Sequence, residues 1–171
     1  MPSDDRLEIF QGDITTLDVD AIVNAANDRL APGGGVCGAI HRAAGAELGR
    51  ACRALGGCPT GEARITPGFQ LQARHVIHAV GPVWQGGGEG EESLLAGAYR
   101  SSLELARDEG LRSIAFPAIS TGIYGFPLDR ATEIAVAACQ AHLETETTVQ
   151  RIVFAVFGAE AEAAYRHALG R

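Results

Sequence analysis

Short apolar runs alternate with longer amphipathic stretches along the chain, and this alternation most limits the folds open to it. A short apolar or period-two run indicates a strand, whereas apolar residues at three- and four-residue steps indicate a helix. The pattern predicts strands at 7–13, 20–25, 62–67, 74–80, 113–118 and 150–156, and helices at 36–55, 92–109, 127–144 and 159–169. Such an order favours an α/β sandwich with a mostly parallel sheet, whose ligands bind beyond the carboxyl ends of the strands.

The chain length predicts a single domain over residues 1–171. All 14 basic residues are Arg, and the absence of Lys excludes a Schiff base, a Walker phosphate-binding lysine and a lysine nucleophile. The net charge of −7 argues against general nucleic-acid binding, which depends on clustered basic residues. It leaves room for a small anionic ligand, because backbone N–H groups can hold a phosphate regardless of the overall charge.

No apolar run approaches the roughly 18 residues of a membrane span, and the first residues do not read as an export signal. We therefore expect a soluble, cytoplasmic protein without a membrane partner. In that setting the four cysteines, Cys37, Cys52, Cys58 and Cys139, are expected to be free thiols.

A glycine-rich segment precedes the helix predicted at 36–55. Gly33, Gly35 and Gly38 match the spacing of the dinucleotide fingerprint. They do not directly follow a strand, however, and no acidic residue lies at 52–61 to bind a ribose, so a nicotinamide-cofactor oxidoreductase is disfavoured. Phosphate contact by the loop is favoured over the alternative, a turn that only lets the helix pack.

A second glycine-containing turn, at 118–127, joins a strand to a helix, and its successive N–H groups can form an anion site. The turn also resembles a nucleophile elbow around Ser120, but Ala118 stands where the elbow requires glycine, so a nucleophilic serine is disfavoured. Tyr124 could contact a sugar or lie at the rim with an exposed hydroxyl, and its residue type does not decide between the two.

Asp13 follows the first strand, and its carboxylate could accept a hydrogen bond from an exocyclic amine such as that of adenine. A helix or turn cap is the favoured interpretation from the residues alone.

Metal and nucleophile sites built from His and Cys are disfavoured. His75 and His78 lie three apart on a strand and point to opposite faces. Cys52 and Cys58 lack the second pair of a zinc site. Cys37 and His41 share a helix face, so a Cys/His pair is conceivable, but a His that braces the glycine loop is favoured.

Five segments, taken in order, resemble the macrodomain family, in its MacroD-like branch of ADP-ribose-binding and ADP-ribosyl-hydrolysing proteins. They lie at 11–15, 20–27, 33–45, 76–84 and 116–127, and the resemblance spans nearly the whole chain. It implies a three-layer α/β/α fold around a mixed sheet of six or so strands, with ADP-ribose in a cleft at the strand ends.

The resemblance also implies a role for each matching residue. Asp13 and the Ile14 backbone would recognise adenine, and Phe157 would stack on it. The loop of Ser120, Thr121, Gly122, Ile123 and Tyr124 would wrap the diphosphate. The distal ribose would be held by Asn27 with Gly33, Gly34, Gly35 and Val36, flanked by Tyr124, while Asn24 would brace the loop.

The implied activity is hydrolysis of mono-ADP-ribosyl esters on acidic protein residues, deacetylation of O-acetyl-ADP-ribose, or both, with no metal or cofactor. Asn27, Gly35 and Cys37 would form the catalytic centre, and mono-ADP-ribosylated proteins would be the partners. Cys37 departs from the family, whose hydrolases usually have Asp at this position. Three alternatives follow: Cys37 does part of the work, the ligand's phosphate activates a water held by Asn27, or the protein is a non-catalytic reader of ADP-ribose. The absence of Lys excludes the lysine-adduct mechanism of another macrodomain branch.

Overall fold

A six-stranded sheet lies between two layers of helices in the computed structural model, which describes residues 4–171. The strands are β1 (Leu7–Gln11), β2 (Ala21–Ala26), β3 (Ala63–Pro67), β4 (His75–Val80), β5 (Ser113–Phe116) and β6 (Arg151–Val156). The helices are α1 (Gly35–Ala44), α2 (Ala46–Leu55), α3 (Glu91–Asp108), α4 (Leu128–Leu143) and α5 (Ala159–Leu169), and a short 3-10 helix spans Ile14–Thr16. This architecture confirms the predicted α/β/α sandwich.

The sheet is mixed, with the strand order β1-β6-β5-β2-β4-β3. Every neighbouring pair is parallel except β3 with β4, which is antiparallel. The carboxyl ends of the other five strands therefore lie along one edge of the sheet, and the loops that follow them meet there.

Each face of the sheet packs against its own helical layer. On β2, Ile22 and Ala26 contact a core that includes Leu48 and Cys52 of α2. Val23, between them, points to the opposite core, which includes side chains of α3, α4 and α5. This division follows from the two-residue period of a strand, which sends successive side chains to opposite faces.

The helix predicted at 36–55 is two helices, because Gly45 interrupts it. Gly45 has φ 93° and ψ 177°, far outside the helical region, and it ends α1 while preceding α2. A Cβ at Gly45 would lie 3.1 Å from Gln70 Nε2, and the Gln70 N–H donates to the Ala44 carbonyl. Glycine is favoured here by its positive φ, which other residues rarely adopt.

A buried carboxylate holds the glycine-rich loop before α3. The backbone N–H groups of Gln85, Gly87 and Glu89 donate to the Glu91 side chain at 2.8, 2.8 and 2.6 Å. Burial acts to raise the pKa of Glu91, but these hydrogen bonds and one from its own N–H outweigh burial and lower the pKa to about 2. The loop is thus tied to the first turn of α3.

Within residues 4–171, none of the helices is long and apolar enough to cross a bilayer.

Candidate functional site

A cleft of about 550 Å³ opens at the carboxyl edge of the sheet. Residues that follow β1, β2, β5 and β6 line it, together with the start of α1, as expected for the loops at this edge of a parallel sheet. The predicted residues that line the cleft are Ile14, Asn27, Gly33, Gly34, Gly35, Val36, Cys37, Ser120, Thr121, Gly122, Ile123, Tyr124 and Phe157. Segments far apart in the chain thus meet at one cleft.

The glycine loop brings free N–H groups to one wall of the cleft. Helix α1 begins at Gly35, and its first internal hydrogen bond is from Gly38 N–H to the Gly34 carbonyl. The N–H groups of Gly35, Val36 and Cys37 therefore have no partner within the helix, as at any helix N-terminus. A Cβ at Gly38 would lie 2.6 Å from the Gly33 carbonyl oxygen, so glycine at 38 permits the loop to fold onto the helix.

The turn after β5 forms the facing wall. Ser120 adopts φ 68°, in the left-handed region that is unfavourable for a non-glycine residue. Its hydroxyl is buried, with no hydrogen-bond partner among residues 4–171. A nucleophilic serine needs a neighbouring base to take its proton, and no such base in the described chain contacts this hydroxyl. The geometry therefore does not support a nucleophilic Ser120.

The N–H groups of Gly122, Ile123 and Tyr124 also face no protein acceptor in the described part of the chain. Ile123 is 97% exposed, a level unusual for a large apolar side chain. Tyr124 is half-buried, and its carbonyl accepts a hydrogen bond from the Trp84 N–H at 2.8 Å, which ties the turn to the segment after β4. The turn is therefore anchored at Tyr124 while its preceding N–H groups stay available.

Asn27 organises the loop that follows β2. Its Oδ1 accepts hydrogen bonds from the N–H groups of Arg29 and Ala31, and its Nδ2 donates to the Ala31 carbonyl at 2.9 Å. One amide proton on Nδ2 is left for a ligand, because a primary amide carries two. The Cys37 thiol donates to the same carbonyl at 3.8 Å and is 5% exposed.

Asp13 and Phe157 lie toward the other end of the sheet edge, after β1 and β6. The Oδ1 atom of Asp13 accepts hydrogen bonds from the N–H and hydroxyl of Thr15, at 2.9 and 2.8 Å, so the side chain caps the 3-10 helix as the residues alone favoured. Asp13 does not itself line the cleft, although its neighbours Gly12 and Ile14 do. Phe157 lines it with a ring that is 69% exposed.

Asn24 lies outside the cleft, in a buried polar cluster with His78, Thr66 and Cys52. Its Nδ2 lies 3.1 Å from His78 Nδ1, and His78 Nε2 lies 3.0 Å from Thr66 Oγ1 and 3.6 Å from Cys52 Sγ. Burial, with a smaller contribution from His41, lowers the pKa of His78 to about 4. Asn24 is 1% exposed, and its hydrogen-bond partner among the described residues is His78. The expectation that Asn24 braces the glycine loop or contacts the ligand is therefore corrected, because its side chain points into the core.

His41 neither pairs with Cys37 nor braces the glycine loop, the two roles that the sequence left open. Within residues 4–171 its buried Nε2 has no hydrogen-bond partner, and the thiol of Cys37 donates to Ala31 and not to His41. The ring therefore neither forms a Cys/His pair nor hydrogen-bonds the glycine loop. Its pKa is lowered by burial.

Gly81 is a cleft residue that the sequence indicated only as the end of a strand. A Cβ there would lie 2.2 Å from Ser120 Oγ and 2.5 Å from Ile119 Cγ2, so no larger residue fits between β4 and the turn. The remaining cleft residues without a predicted role are small or apolar: Gly12, Ala25, Ala26, Pro117, Ala118, Ile119, Ala155 and Ala161. A glycine directly after a buried strand was the available signal for Gly81.

The chemistry of the cleft is that of N–H donors without a strong base. No Asp, Glu or His is among the residues that line it, so Cys37 and Tyr124 are its titratable side chains. No group of three or more metal-binding side chains occurs in the part of the chain that the structure describes. The arrangement suits an anionic ligand held by backbone N–H groups.

Comparison with known proteins identifies the relatives of this chain. A family model described as Macro domain matches residues 23–135. A macro domain-containing protein of Mesorhizobium japonicum is 57% identical over 165 residues, which cover 96% of this chain and 94% of the relative. One of Methanosarcina mazei is 53% identical over 167 residues, covering 98% and 89% of the two chains.

Solved structures show the same likeness. A mutant of the Oceanobacillus iheyensis macrodomain, solved with ADPR, matches at a TM-score of 0.91 and 44% identity, covering 96% of this chain and 91% of that one. The Trypanosoma brucei macrodomain in complex with ADP-ribose matches at a TM-score of 0.91 and 45% identity, covering 96% and 69%.

Proposed function

Because the chain belongs to the macro domain family, we propose that it is a single macrodomain that binds ADP-ribose in the cleft and hydrolyses an ester at the distal ribose. The substrates would be mono-ADP-ribosyl esters on acidic residues of partner proteins, O-acetyl-ADP-ribose, or both. Water would attack the ester or the ribose carbon that bears it, releasing ADP-ribose and the free carboxylate. ADP-ribose-bound structures of the related macrodomains support the ligand.

Two facing sets of unpaired N–H groups are the observation on which the proposal rests. Gly35, Val36 and Cys37 supply one set, and Gly122, Ile123 and Tyr124 supply the other. N–H groups that have no acceptor within the protein are available to a ligand, and the oxygens of a diphosphate can accept hydrogen bonds from several of them. Helix α1 adds the partial positive charge of its N-terminus, which also favours an anion.

Asp13 and Phe157 would bind the adenine end. Both hydrogen bonds to Thr15 use Oδ1 of Asp13, so Oδ2 stays free to accept one from the exocyclic amine. The exposed ring of Phe157 offers a face on which the base can stack. The Asp13 carboxylate can thus cap the 3-10 helix and bind adenine at the same time. The backbone of Ile14 would also contact the adenine.

The distal ribose would lie against Asn27, the glycine loop and Tyr124. The remaining Nδ2 proton of Asn27 would bind the ribose or position a water. The Cys37 thiol donates to the Ala31 carbonyl, and a thiol that keeps its proton cannot take one from water. Since no carboxylate or imidazole lines the cleft, activation of the water by the ligand's own phosphate is the favoured route among the three alternatives.

The same lack of a base favours a second candidate, a reader that binds ADP-ribose without turnover. Incubation with O-acetyl-ADP-ribose and with a protein mono-ADP-ribosylated on glutamate tests the enzyme directly, with acetate and ADP-ribose as the measured products. Release from either substrate above the buffer rate supports hydrolysis. Calorimetric titration with ADP-ribose distinguishes the remaining outcomes. Tight binding without turnover supports the reader, and the absence of binding overturns both the hydrolase and the reader.

A further inference from the structure

A second groove, of about 430 Å³, lies on the outer surface of α1 and α2. Its lining residues are Pro32, His41, Arg42, Gly45, Ala46, Gly49, Arg50 and Arg53. We call it the arginine groove. Nothing in the proposed chemistry of the cleft uses it.

The three arginines of this groove form no ion pair within the part of the chain that the structure describes. Half of the chain's arginines form ion pairs within 4.0 Å, namely Arg6, Arg64, Arg74, Arg107, Arg130, Arg151 and Arg166. Arg42, Arg50 and Arg53 form none with any residue in 4–171, and their guanidinium groups make no hydrogen bond there either. Three unpaired positive charges around one groove stand out in a chain of net charge −7. They create a local positive potential that favours an anionic partner.

Gly49 keeps the groove open. It lies in the interior of α2, where glycine is less favourable than alanine. A Cβ at Gly49 would meet only Arg53 Nη1, at 3.5 Å, outside its own helix backbone and chain neighbours. Packing against the rest of the protein therefore does not require glycine at this position. A methyl group would instead project toward the groove and the Arg53 side chain.

The groove adjoins the ribose end of the cleft. Pro32 lines the groove and Gly33, the next residue, lines the cleft. The Cβ position of Gly38 is 3.1 Å from Arg42 Nη1 and 2.6 Å from the Gly33 carbonyl oxygen, so the Arg42 guanidinium lies beside the glycine loop. With the distal ribose against the glycine loop, as proposed above, a polypeptide attached to the ribose would lie near the guanidinium of Arg42.

We propose that the arginine groove binds an acidic stretch of the polypeptide that carries the ADP-ribosyl group, next to the modified side chain. This inference rests on the proposed function, since it assumes that ADP-ribose occupies the cleft. Guanidinium groups bind carboxylates through paired hydrogen bonds, and three of them match several Asp or Glu side chains. The groove would thereby select modified proteins by the sequence around the modification.

A nucleic acid fits the groove less well. No aromatic side chain other than His41 lines it, so bases have no stacking surface. The net charge of −7 also opposes a long polyanion that extends beyond the groove.

Binding measurements test the inference without requiring turnover. The probes are free ADP-ribose and two peptides that each carry one ADP-ribosyl glutamate, one flanked by acidic residues and one by Ala and Gln. The Arg50→Glu/Arg53→Glu variant should bind the acidic peptide about tenfold more weakly than the unaltered protein, because attraction becomes repulsion. Its affinities for ADP-ribose and for the neutral peptide should stay within about twofold.

Two further variants keep the result interpretable. Arg100→Glu/Arg107→Glu makes the same change of net charge on α3, in the opposite helical layer, and should leave all three affinities unaltered. Arg50→Gln/Arg53→Gln removes the charges without reversing them and should give an intermediate loss.

Equal binding of the acidic peptide by the groove variants and the unaltered protein would overturn the inference. So would an equal loss in the α3 variant, or a greater dependence on Arg50 and Arg53 for an ADP-ribosylated RNA oligonucleotide than for the peptide. Normal ADP-ribose binding in these cases would leave the proposed function intact, whereas no ADP-ribose binding by the unaltered protein would overturn both.

Discussion

Asn27 and Cys37 direct their side chains to one acceptor, the carbonyl oxygen of Ala31, at 2.9 and 3.8 Å. The Cβ position of Gly33 lies 3.9 Å from Asn27 Nδ2 and 3.8 Å from Cys37 Sγ, so both side chains also border the glycine loop. These two of the three residues expected at the catalytic centre therefore also hold the loop after β2 against the start of α1. Their structural and chemical roles have to be separated by experiment.

Replacing Cys37 by Asp should increase turnover. Aspartate cannot donate to the Ala31 carbonyl, and its carboxylate would be repelled toward the cleft while the N-terminus of α1 stabilises its charge. A base beside the bound water is expected to raise the hydrolysis rate of O-acetyl-ADP-ribose at least about tenfold. Cys37→Ser is the matched control, because it keeps a donor without adding a base and should leave the rate unaltered. An unaltered rate in Cys37→Asp would show that residue 37 does not limit the reaction.

Asn27→Ala should destabilise the protein and weaken ADP-ribose binding together. The substitution removes three hydrogen bonds and leaves the N–H groups of Arg29 and Ala31 without their acceptor, at an expected cost of about 1–3 kcal/mol in the free energy of unfolding. Urea unfolding and calorimetric titration measure the two effects.

Asn27→Asp separates them, because its carboxylate can still accept from both N–H groups but cannot donate. Its stability should lie nearer that of the unaltered protein, while its affinity for ADP-ribose should fall as in Asn27→Ala. If Asn27→Asp binds normally, the Nδ2 proton is not a ligand contact.

Residue patterns predicted the strands and the two cleft loops because both depend on local chemistry. Strand burial alternates with a two-residue period, and glycine marks turns that need a positive φ or a close approach. The expectation that Asn24 braces the loop comes from the family resemblance and not from the strand pattern. The same period places it on one face of β2 with Ile22 and Ala26, toward α2, where His78 provides its partner. That pairing joins residues 54 apart, which no local pattern indicates.

The sequence pattern did not predict the break at Gly45, because the break also depends on a contact between distant segments. Ile40, Ala44, Leu48 and Cys52 recur at four-residue steps and all face the same core, so the apolar pattern continues across the break. Only the contact of the Gln70 segment with Ala44 and Gly45 explains it.

Stability should depend on pH through Glu91. The folded-state pKa of about 2 lies below the ordinary value of 4.5, so the charged carboxylate stabilises the fold fully above pH 4.5 and loses this effect as the pH falls toward 2. Glu91→Gln should therefore lower the urea midpoint most at neutral pH, and the difference from the unaltered protein should shrink progressively in acid.

Urea unfolding of both proteins at about pH 6, 4 and 3 measures this difference. Glu92→Gln is the control, because Glu92 pairs with Arg130 at an exposed site where salt screens the interaction. A difference for Glu91→Gln that stays constant across these pH values would contradict the role of the carboxylate charge.

Gly81→Ala should disturb the cleft from the strand side. The added methyl group would lie 2.2 Å from Ser120 Oγ and 2.5 Å from Ile119 Cγ2, both on a turn that already holds Ser120 at φ 68°. Relief requires the turn at 118–124 to move, and overpacking of this kind costs about 1–3 kcal/mol. We expect a lower unfolding midpoint and weaker ADP-ribose binding, because the displaced turn presents the N–H groups of Gly122, Ile123 and Tyr124.

Gly88→Ala is the matched control, since nothing lies within 4 Å of its Cβ position, and both measurements should match the unaltered protein. Normal affinity in Gly81→Ala would show that the position of this turn does not determine ligand binding.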